Sequence, residues 1–446
     1  MRQLRELRRY PSAIVGLVIL GIYVFVAIFA VIAIPYNEAT ELWRARPGTW
    51  QDVPRRVPPV WTDWFTSDRL PRTIITTLET GATISEEPLE EGMKRVEIVL
   101  PFDYAYDGFP SEINLFTEAT LQTTTVPMDI YWQKPDGEVL TLREDYSVSA
   151  SNRYSISLDS NLRNALGGVS PRMGLLAQEL GIPSAEMQPL HGSYQLLMRG
   201  VIPQEDEFDQ AKLVVYGQVY GWAGTDHLRR DLTVALLWGA PIGLLFGVLA
   251  AVGAQVSTFV LSGIGTWFGG ALDNTFHRLT EIQMILPNIA VLIMIGHFYT
   301  RSIWAILGLV IVMNIFSASM KTYRAMFLQV KELPYIEAAQ AYGAGNFRII
   351  FRYLLPRMAP TLLPQFVLIV PLFVFLEASL AVLGLGDPVL PTWGKVIFDA
   401  RVNDALFFGD YYWVVLPGIC LLLIGLGFAL VGFSLDRVFN PRLRTV

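Results

Sequence analysis

The chain has 446 residues, 52% of them hydrophobic, with a mean hydropathy of +0.40 and a formal charge of −6. This composition belongs to a membrane protein, and no basic patch with interleaved aromatics points to nucleic acid. The lone cysteine, Cys420, excludes an intrachain disulfide and a thiolate metal cluster.

The charge is unevenly placed. Between Pro35 and Asp226 there are 15 basic and 28 acidic residues, a net −13, whereas the remainder carries +7. Two regions of opposite sign suggest two environments. The basic part suits cytoplasmic membrane flanks, and the acidic part suits a solvated domain on the other side.

In chain order, MRQLRELRRY comes first, followed by about 22 mostly apolar residues from Ala13 to Ile34. The run exceeds the roughly 7–15 residues of a signal-peptide core and can cross a hydrocarbon layer of about 30 Å. An uncleaved first helix is expected, with Arg2, Arg5, Arg8 and Arg9 holding its start inside.

Residues 36–222 change character, with turn dipeptides, alternating stretches and few long apolar runs. Segments 129–133 and 138–143 flank Pro135-Asp136-Gly137 and read as a hairpin. Further strands are expected at 94–100, 112–124, 153–158, 193–199 and 212–219, with a short helix at 172–180. A mostly antiparallel, sandwich-like domain follows. At nearly 190 residues it is long enough to fold on its own core.

Six spans are predicted, at about 12–34, 231–267, 274–297, 302–328, 358–383 and 411–433. The second is too long for one perpendicular crossing, so it should tilt or protrude. Starting inside, six crossings end inside, where the tail carries Arg437, Arg442 and Arg444. The expected organisation is a cytoplasmic N-terminus and first helix over 1–35, an extracytoplasmic β-rich insert over 36–222 and a five-helix core over 223–446. The fold class is thus an all-α polytopic membrane protein with an inserted mainly-β domain.

The loop at about 331–356 falls between the fourth and fifth predicted spans, on the cytoplasmic side by the same count. Its sequence from Tyr335, YIEAAQAYGAGNFRIIFRYLLP, carries Glu337, Arg348, Arg352 and a Gly343-Ala344-Gly345 break. One or two short amphipathic helices are expected. Pro334 suits a first helical position, Glu337 lies where the helix dipole favours a carboxylate, and Gly343 permits a sharp turn. Small Ala338 and Ala339 let a partner surface approach closely. An ordinary cytoplasmic loop would also satisfy these residues.

Signs of catalysis are lacking. No G-x-x-x-x-G-K-[ST] loop occurs, so this chain is not expected to bind ATP itself. The Gly263-Ile264-Gly265-Thr266-Trp267-Phe268-Gly269 run misses the dinucleotide spacing and fits close helix packing better. His191, His227, His277 and His297 lack metal-ligand spacing, and there is no nucleophile elbow. Within the predicted spans, Glu281, Gln283, Asn314, Ser317, Gln365 and Glu377 are polar. Such residues either border a watery path or make interhelical hydrogen bonds. Glu281, Asn314, Gln365 and Glu377 are the candidates for a path. Glu377 lies about 31 Å of helix past Pro356, near the outer mouth.

Glu337-Ala338-Ala339, three residues, Gly343 and then Leu355-Pro356 resembles the EAA loop of ABC importer permeases. Tyr353 stands where the peptide-importer branch has histidine. Gly224-Thr225-Asp226, Arg230-Asp231 and Gly239-Ala240 resemble the segment that branch carries before its second span, with Arg229 for glycine and Pro241 for arginine. Asp273, Arg278, Glu281 and Pro287 fall at the family spacing, Glu281 replacing aspartate. Glu377-Ala378-Ser379-Leu380, Leu383-Gly384-Leu385-Gly386 and Pro391-Thr392-Trp393-Gly394 resemble its stretch after the fifth span. The chain is similar to the C-type permease of dipeptide and oligopeptide systems, within the peptide/nickel branch of type I ABC importers.

The resemblance covers the first span and most of 223–446. It implies a plasma-membrane permease with no cofactor of its own, paired with a homologous permease. Two ATPase subunits inside would hold ATP and magnesium, and a solute-binding protein would dock outside. Glu337, Ala338, Ala339, Gly343, Arg348, Leu355 and Pro356 would couple to the ATPases. The substrate implied is a peptide, with oligosaccharides or nickel as alternatives. The insert departs from the family; it could dock the binding protein, cap the pore or stabilise the complex. Two rivals from other classes stay open: a membrane-anchored receptor or scaffold whose β domain binds a ligand, and an ion-coupled transporter. The latter needs midplane charged pairs, which are scarce here.

Overall fold

The computed structural model describes residues 10–66 and 69–439. The predicted inner arginines Arg2, Arg5, Arg8 and Arg9, and Arg442 and Arg444 of the tail, lie outside the described residues. The chain packs as two units, Ala45–Thr233 and Met1–Arg44 with Val234–Val446.

The first unit is a two-layer antiparallel β structure. Its strands are β1 (Ile74–Thr77), β2 (Thr83–Pro88), β3 (Met93–Tyr104), β4 (Glu112–Thr120), β5 (Val126–Gln133), β6 (Val139–Val148), β7 (Ser151–Tyr154), β8 (Gly192–Pro203) and β9 (Glu207–Tyr216). One sheet has the order β1-β9-β4-β7 and the other β2-β3-β8-β5-β6. Alternation drives the layering. In β3, Val96, Ile98, Leu100 and Phe102 point inward, opposite Ile113, Leu115, Leu213 and Val215 from the other sheet. Trp132 fills the centre and donates its Nε1–H to Leu175 O at 3.1 Å. The predicted hairpin is present as β5–β6, with Gly137 at φ +92° in its turn. The predicted helix at 172–180 is shorter, Pro171–Gly174. Past it, bonds from Gln178 N to Gln188 O and from Leu190 N to Leu176 O draw the chain into a bridge.

The chain enters and leaves this unit side by side. Arg56 N–H donates to Asp226 O at 3.1 Å, and Thr225 N–H donates to Val57 O at 2.9 Å. The buried Thr225 hydroxyl donates to Pro54 O at 2.8 Å. Asp226 and Arg230, both buried, pair at 2.5 Å. Arg229 takes a left-handed φ of +66°, a conformation that favours glycine. Its side chain offsets that strain by bonding Val53 O at 2.8 Å, pairing with Glu112 and lying 4.5 Å from the Tyr216 ring centre.

The second unit is helical. Its helices are α1 (Pro11–Ala33), α2 (Tyr36–Arg44), α3 (Leu232–Phe268), α4 (Gly270–Ile285), α5 (Asn288–Phe298), α6 (Ile303–Ile315), α7 (Ala318–Lys331), α8 (Pro334–Ala341), α9 (Leu355–Leu380), α10 (Trp393–Val402) and α11 (Tyr412–Phe439). Among the described residues, four helices are long and apolar enough to cross a membrane: α1, α3, the continuous Asn346–Leu385 and α11. The count reaches six if each of two bent pairs is one span.

Those pairs are where the smooth spans expected at 274–297 and 302–328 differ from the fold. The axis turns by 80° between α4 and α5, and by 45° between α6 and α7. At the first break Pro287 forces Leu286 into extended backbone, φ −68°, ψ 131°. At the second, the freed Ile315 carbonyl lies 2.6 Å from the Thr258 hydroxyl of α3. The fifth span starts earlier than the expected 358, because a π turn at Ile350–Leu354 carries the helix through Pro356. A wider turn of this kind relieves the clash of a proline ring with the carbonyl one turn back.

Trp393 fixes the helical packing. Thr392 caps α10 by accepting Lys395 N–H at 3.2 Å. The Trp393 indole is buried and donates to Leu236 O of α3 at 3.0 Å. Tyr23 of α1 meets the ring edge-on at 5.8 Å and donates its hydroxyl to Cys420 O of α11 at 2.8 Å. Gly239 and Gly394 leave the room: a Cβ on Gly239 would lie 2.3 Å from the indole, and one on Gly394 would lie 2.6 Å from Ala378 O of α9.

Gly239→Ala is therefore expected to destabilise the helical unit by about 1–3 kcal/mol, the range for overpacking. Gly418→Ala, whose Cβ meets nothing within 4 Å, is the control and should be neutral or slightly stabilising. Thermal unfolding of the purified variants in detergent measures both; equal melting of the two would contradict the packing argument.

Candidate functional site

The loop between α7 and α9 is built as two short helices around one left-handed residue. Pro334 opens α8 and Glu337 lies in its first turn. The helix ends in a Schellman motif, with Ala344 N–H bonded to Ala339 O at 3.0 Å and Gly343 N–H to Gln340 O at 2.9 Å. Gly343 supplies the φ of +76° that this motif requires. Gly345 is extended, and a second turn of helix runs Asn346–Ile349.

Each face of the loop has its own role. Ile336, Ile349, Ile350, Leu354 and Leu355 join a cluster with Phe259 and Trp267 of α3 and Tyr323, Phe327 and Val330 of α7. Leu355 comes close enough to α3 that a Cβ on Gly263 would stand 2.8 Å from it. Glu337, Ala338, Gly343, Arg348 and Pro356 are exposed. With them stand Tyr342, Phe347 and Phe351, exposed by 93%, 67% and 51%.

Ion pairs and capping bonds hold the base of the loop. Arg324 of α7 clasps Asp273 of α4 with contacts of 2.6–2.9 Å. Lys331 donates to the terminal carbonyls Thr266 O and Trp267 O of α3 at 3.1 Å, opposing the negative end of that helix. Tyr323 OH donates to Gln255 at 2.7 Å inside the bundle. Force applied to the exposed face thus reaches α3, α7 and α9 through side chains already in contact.

Two of the expected contact residues lie inward. Ala339 is buried and Leu355 belongs to the inner cluster, so their small size and apolarity serve the seat of the loop. The exposed aromatics add to the residues expected from the sequence. The signal was present: Tyr335, Tyr342, Phe347 and Phe351 crowd into a loop that otherwise reads as polar. Arg324 and Lys331 add a second layer beneath them that carries no motif of its own.

The four polar path candidates are not brought together: among the described residues, no hydrogen bond or ion pair joins any two of them. Glu281 is exposed and lies 3.5 Å from His277 and 3.8 Å from Lys321. Asn314 donates to Val310 O at 2.8 Å just before the α6–α7 break. Gln365 is half-buried. Glu377 is buried within hydrogen-bonding reach of Thr392. The crevice beside it, walled by Phe246, Ile303, Ile306 and Asp387, holds about 10 Å³, no more than one water.

Residues 243–445 match the family described as the binding-protein-dependent transport system inner membrane component. Residues 2–57 match the N-terminal transmembrane domain of oligopeptide transport permease C. The dipeptide transport system permease protein DppC of Alkalihalophilus pseudofirmus is 30% identical over 226 residues, 50% of this chain and 73% of its own length. The oligopeptide transport system permease protein OppC of Bacillus subtilis is 30% identical over 226 residues, 50% of this chain and 72% of its own. The glutathione transport system permease protein GsiD of Pectobacterium atrosepticum is 28% identical over 250 residues, 54% of this chain and 79% of its own.

The Schellman turn yields a direct test. A β-branched side chain tolerates positive φ poorly, so Gly343→Val should unseat α8. Limited proteolysis is expected to cut the variant at Tyr342–Phe347 faster than the native chain. Equal cleavage rates would mean the turn does not depend on glycine.

Proposed function

We propose, for a chain that belongs to the family of inner-membrane permease components of binding-protein-dependent transport systems, a specific way of working. It is a permease subunit of a peptide ABC importer and not itself the ATPase. In the proposed assembly it pairs with a second permease, two ATPase subunits dock inside, and a peptide-binding protein docks outside. The observation that carries the coupling role is the two-faced loop: an exposed Glu337–Ala338 and Tyr342–Phe347 surface on a base seated against α3, α7 and α9.

ATP-driven closure of the ATPases would move α8, and the bundle would follow between inward- and outward-facing states. Such a switch needs two conformations that bind the ATPases with different affinity. Glu337, Ala338, Gly343, Arg348 and Pro356 are proposed to face the ATPase, with Ala339 and Leu355 seating the loop. Glu281, Asn314 and Gln365 are proposed to border the peptide path, and enclosed Glu377 to tie α9 to α10. The proposed topology has six crossings, with both termini cytoplasmic and residues 36–222 extracytoplasmic. The arginines flanking the first and last spans, Arg2, Arg5, Arg8, Arg9 and Arg437, support that placement.

Coupling is tested by Glu337→Lys, which puts a cation at a helix N-terminus and reverses the charge offered to the partner. The expected result is loss of substrate-stimulated ATP hydrolysis in the reconstituted complex, with membrane insertion unchanged. Native stimulation would sink the proposal.

Topology is tested separately in a Cys420→Ala background. A cysteine at Asp136 should react with an impermeant thiol reagent in intact cells, and one at Gly345 should not. The reverse pattern would overturn the orientation and the importer reading with it.

A further inference from the structure

We infer that the aromatic turn Val60–Phe65, together with Trp222, is a membrane-surface anchor that rests the mainly-β unit in the lipid headgroup layer. Trp64, Phe65 and Trp222 are exposed by 77%, 81% and 75%. Among the described residues of that unit they are the only aromatics so exposed, and all three fall on one spot.

Backbone and side-chain bonds define the spot. Val60 N–H donates to Gly221 O at 2.9 Å, and Tyr220 N–H donates to Pro58 O at 3.0 Å. Trp61 Nε1–H donates to Trp222 O at 2.9 Å, and its ring meets Phe65 edge-on at 6.4 Å. The same stretch of chain runs on into α3. Leu232, the first residue of α3, donates its N–H to Gly224 O at 3.1 Å. Trp222 is two residues before Gly224, so its Cα stands within about 12 Å of the helix start by chain geometry.

Two properties select lipid over a protein partner. Tryptophan is the residue that favours the membrane–water interface, where an apolar ring and one polar N–H are both satisfied. Local charge also departs from that of its surroundings. Residues 53–72 hold Arg55, Arg56, Arg69 and Arg72 against Asp63 and Asp68, inside a region of net −13. Asp63 is already paired with Arg72, while Arg55 and Arg69 are exposed. Exposed arginines in the same segment as the exposed Trp64 complement anionic phosphates. An acidic domain that met lipid elsewhere on its surface would be repelled.

The test uses the full chain in vesicles of phosphatidylethanolamine and phosphatidylglycerol, in the Cys420→Ala background. Spin labels are placed at Phe65→Cys, at Leu249→Cys on the exposed face of α3 and at Asp136→Cys in the β5–β6 turn. Power saturation with oxygen and with a water-soluble nickel chelate reads depth. The expected order of oxygen-to-nickel ratio is Leu249 highest, Phe65 intermediate and Asp136 lowest, with Phe65 several-fold above Asp136. A Phe65 ratio equal to that of Asp136 would overturn the anchor, and so would low access to both reagents, which marks a protein contact. If Leu249 itself reads as aqueous, α3 does not span and the inference falls for that separate reason.

Discussion

Trp393 occupies a space that exists only because Gly239 carries no side chain, and Gly394 beside it lets the backbone of α10 close on α9. Around that indole meet α1 through Tyr23, α3 through the Leu236 carbonyl, and α9 through Val374 of the same buried cluster. α11 joins through the carbonyl that Tyr23 reaches. The spacing of these helices at one end of the unit is thus set by one ring. α3 and α9 also run to the other end, where Gly263 and Leu355 touch beneath the exposed loop. A displacement at the loop therefore has two helices along which to travel toward the indole. They differ in stiffness. α9 contains Pro360, Pro364 and Pro371, each of which removes one N–H from the ladder, whereas α3 contains only Pro241. Bending is cheaper in α9, and α3 is the more rigid reference.

The loop divides its residues by direction rather than by type. Small residues stand on both sides: Ala338 is exposed and Ala339 is buried one position later. The large residues also divide, with Ile336 inward and Tyr342 outward. What makes the division sharp is the glycine turn, which reverses the chain and lets Ile349 and Ile350 return to the same apolar seat. A straight helix through this stretch would carry those isoleucines away from the cluster.

Several elements were legible because their residues repeat with one period. The strands at 93–104 and 126–133 alternate cleanly, and α1 and α3 are predominantly apolar. β2 was missed because nearly all of it is exposed and glutamate-rich, as suits an edge strand with no inward face to reveal it. Hydropathy also cannot report a bend. The α4–α5 and α6–α7 segments are apolar across breaks made by backbone conformation, although Pro287 marked one of them. Of the loop, the turn and its leading carboxylate were legible. The inward facing of Ala339 and Leu355 was not, since a helix's buried side depends on what it packs against. Glu377 read as a lone carboxylate in a span; the partner that encloses it, Thr392, lies in a different element.

The paired strands of chain at 54–58 and 220–226 have a consequence for how such a protein arises. A module whose entrance and exit are joined by a few hydrogen bonds needs little from its host beyond a short gap to bridge. Closing a loop costs free energy that grows only with the logarithm of its length, so a hairpin and a folded module of nearly 190 residues make similar demands on the helices they connect. Lineages could thus gain, lose or exchange this module by recombination at one locus while the helical transport machinery is inherited unchanged.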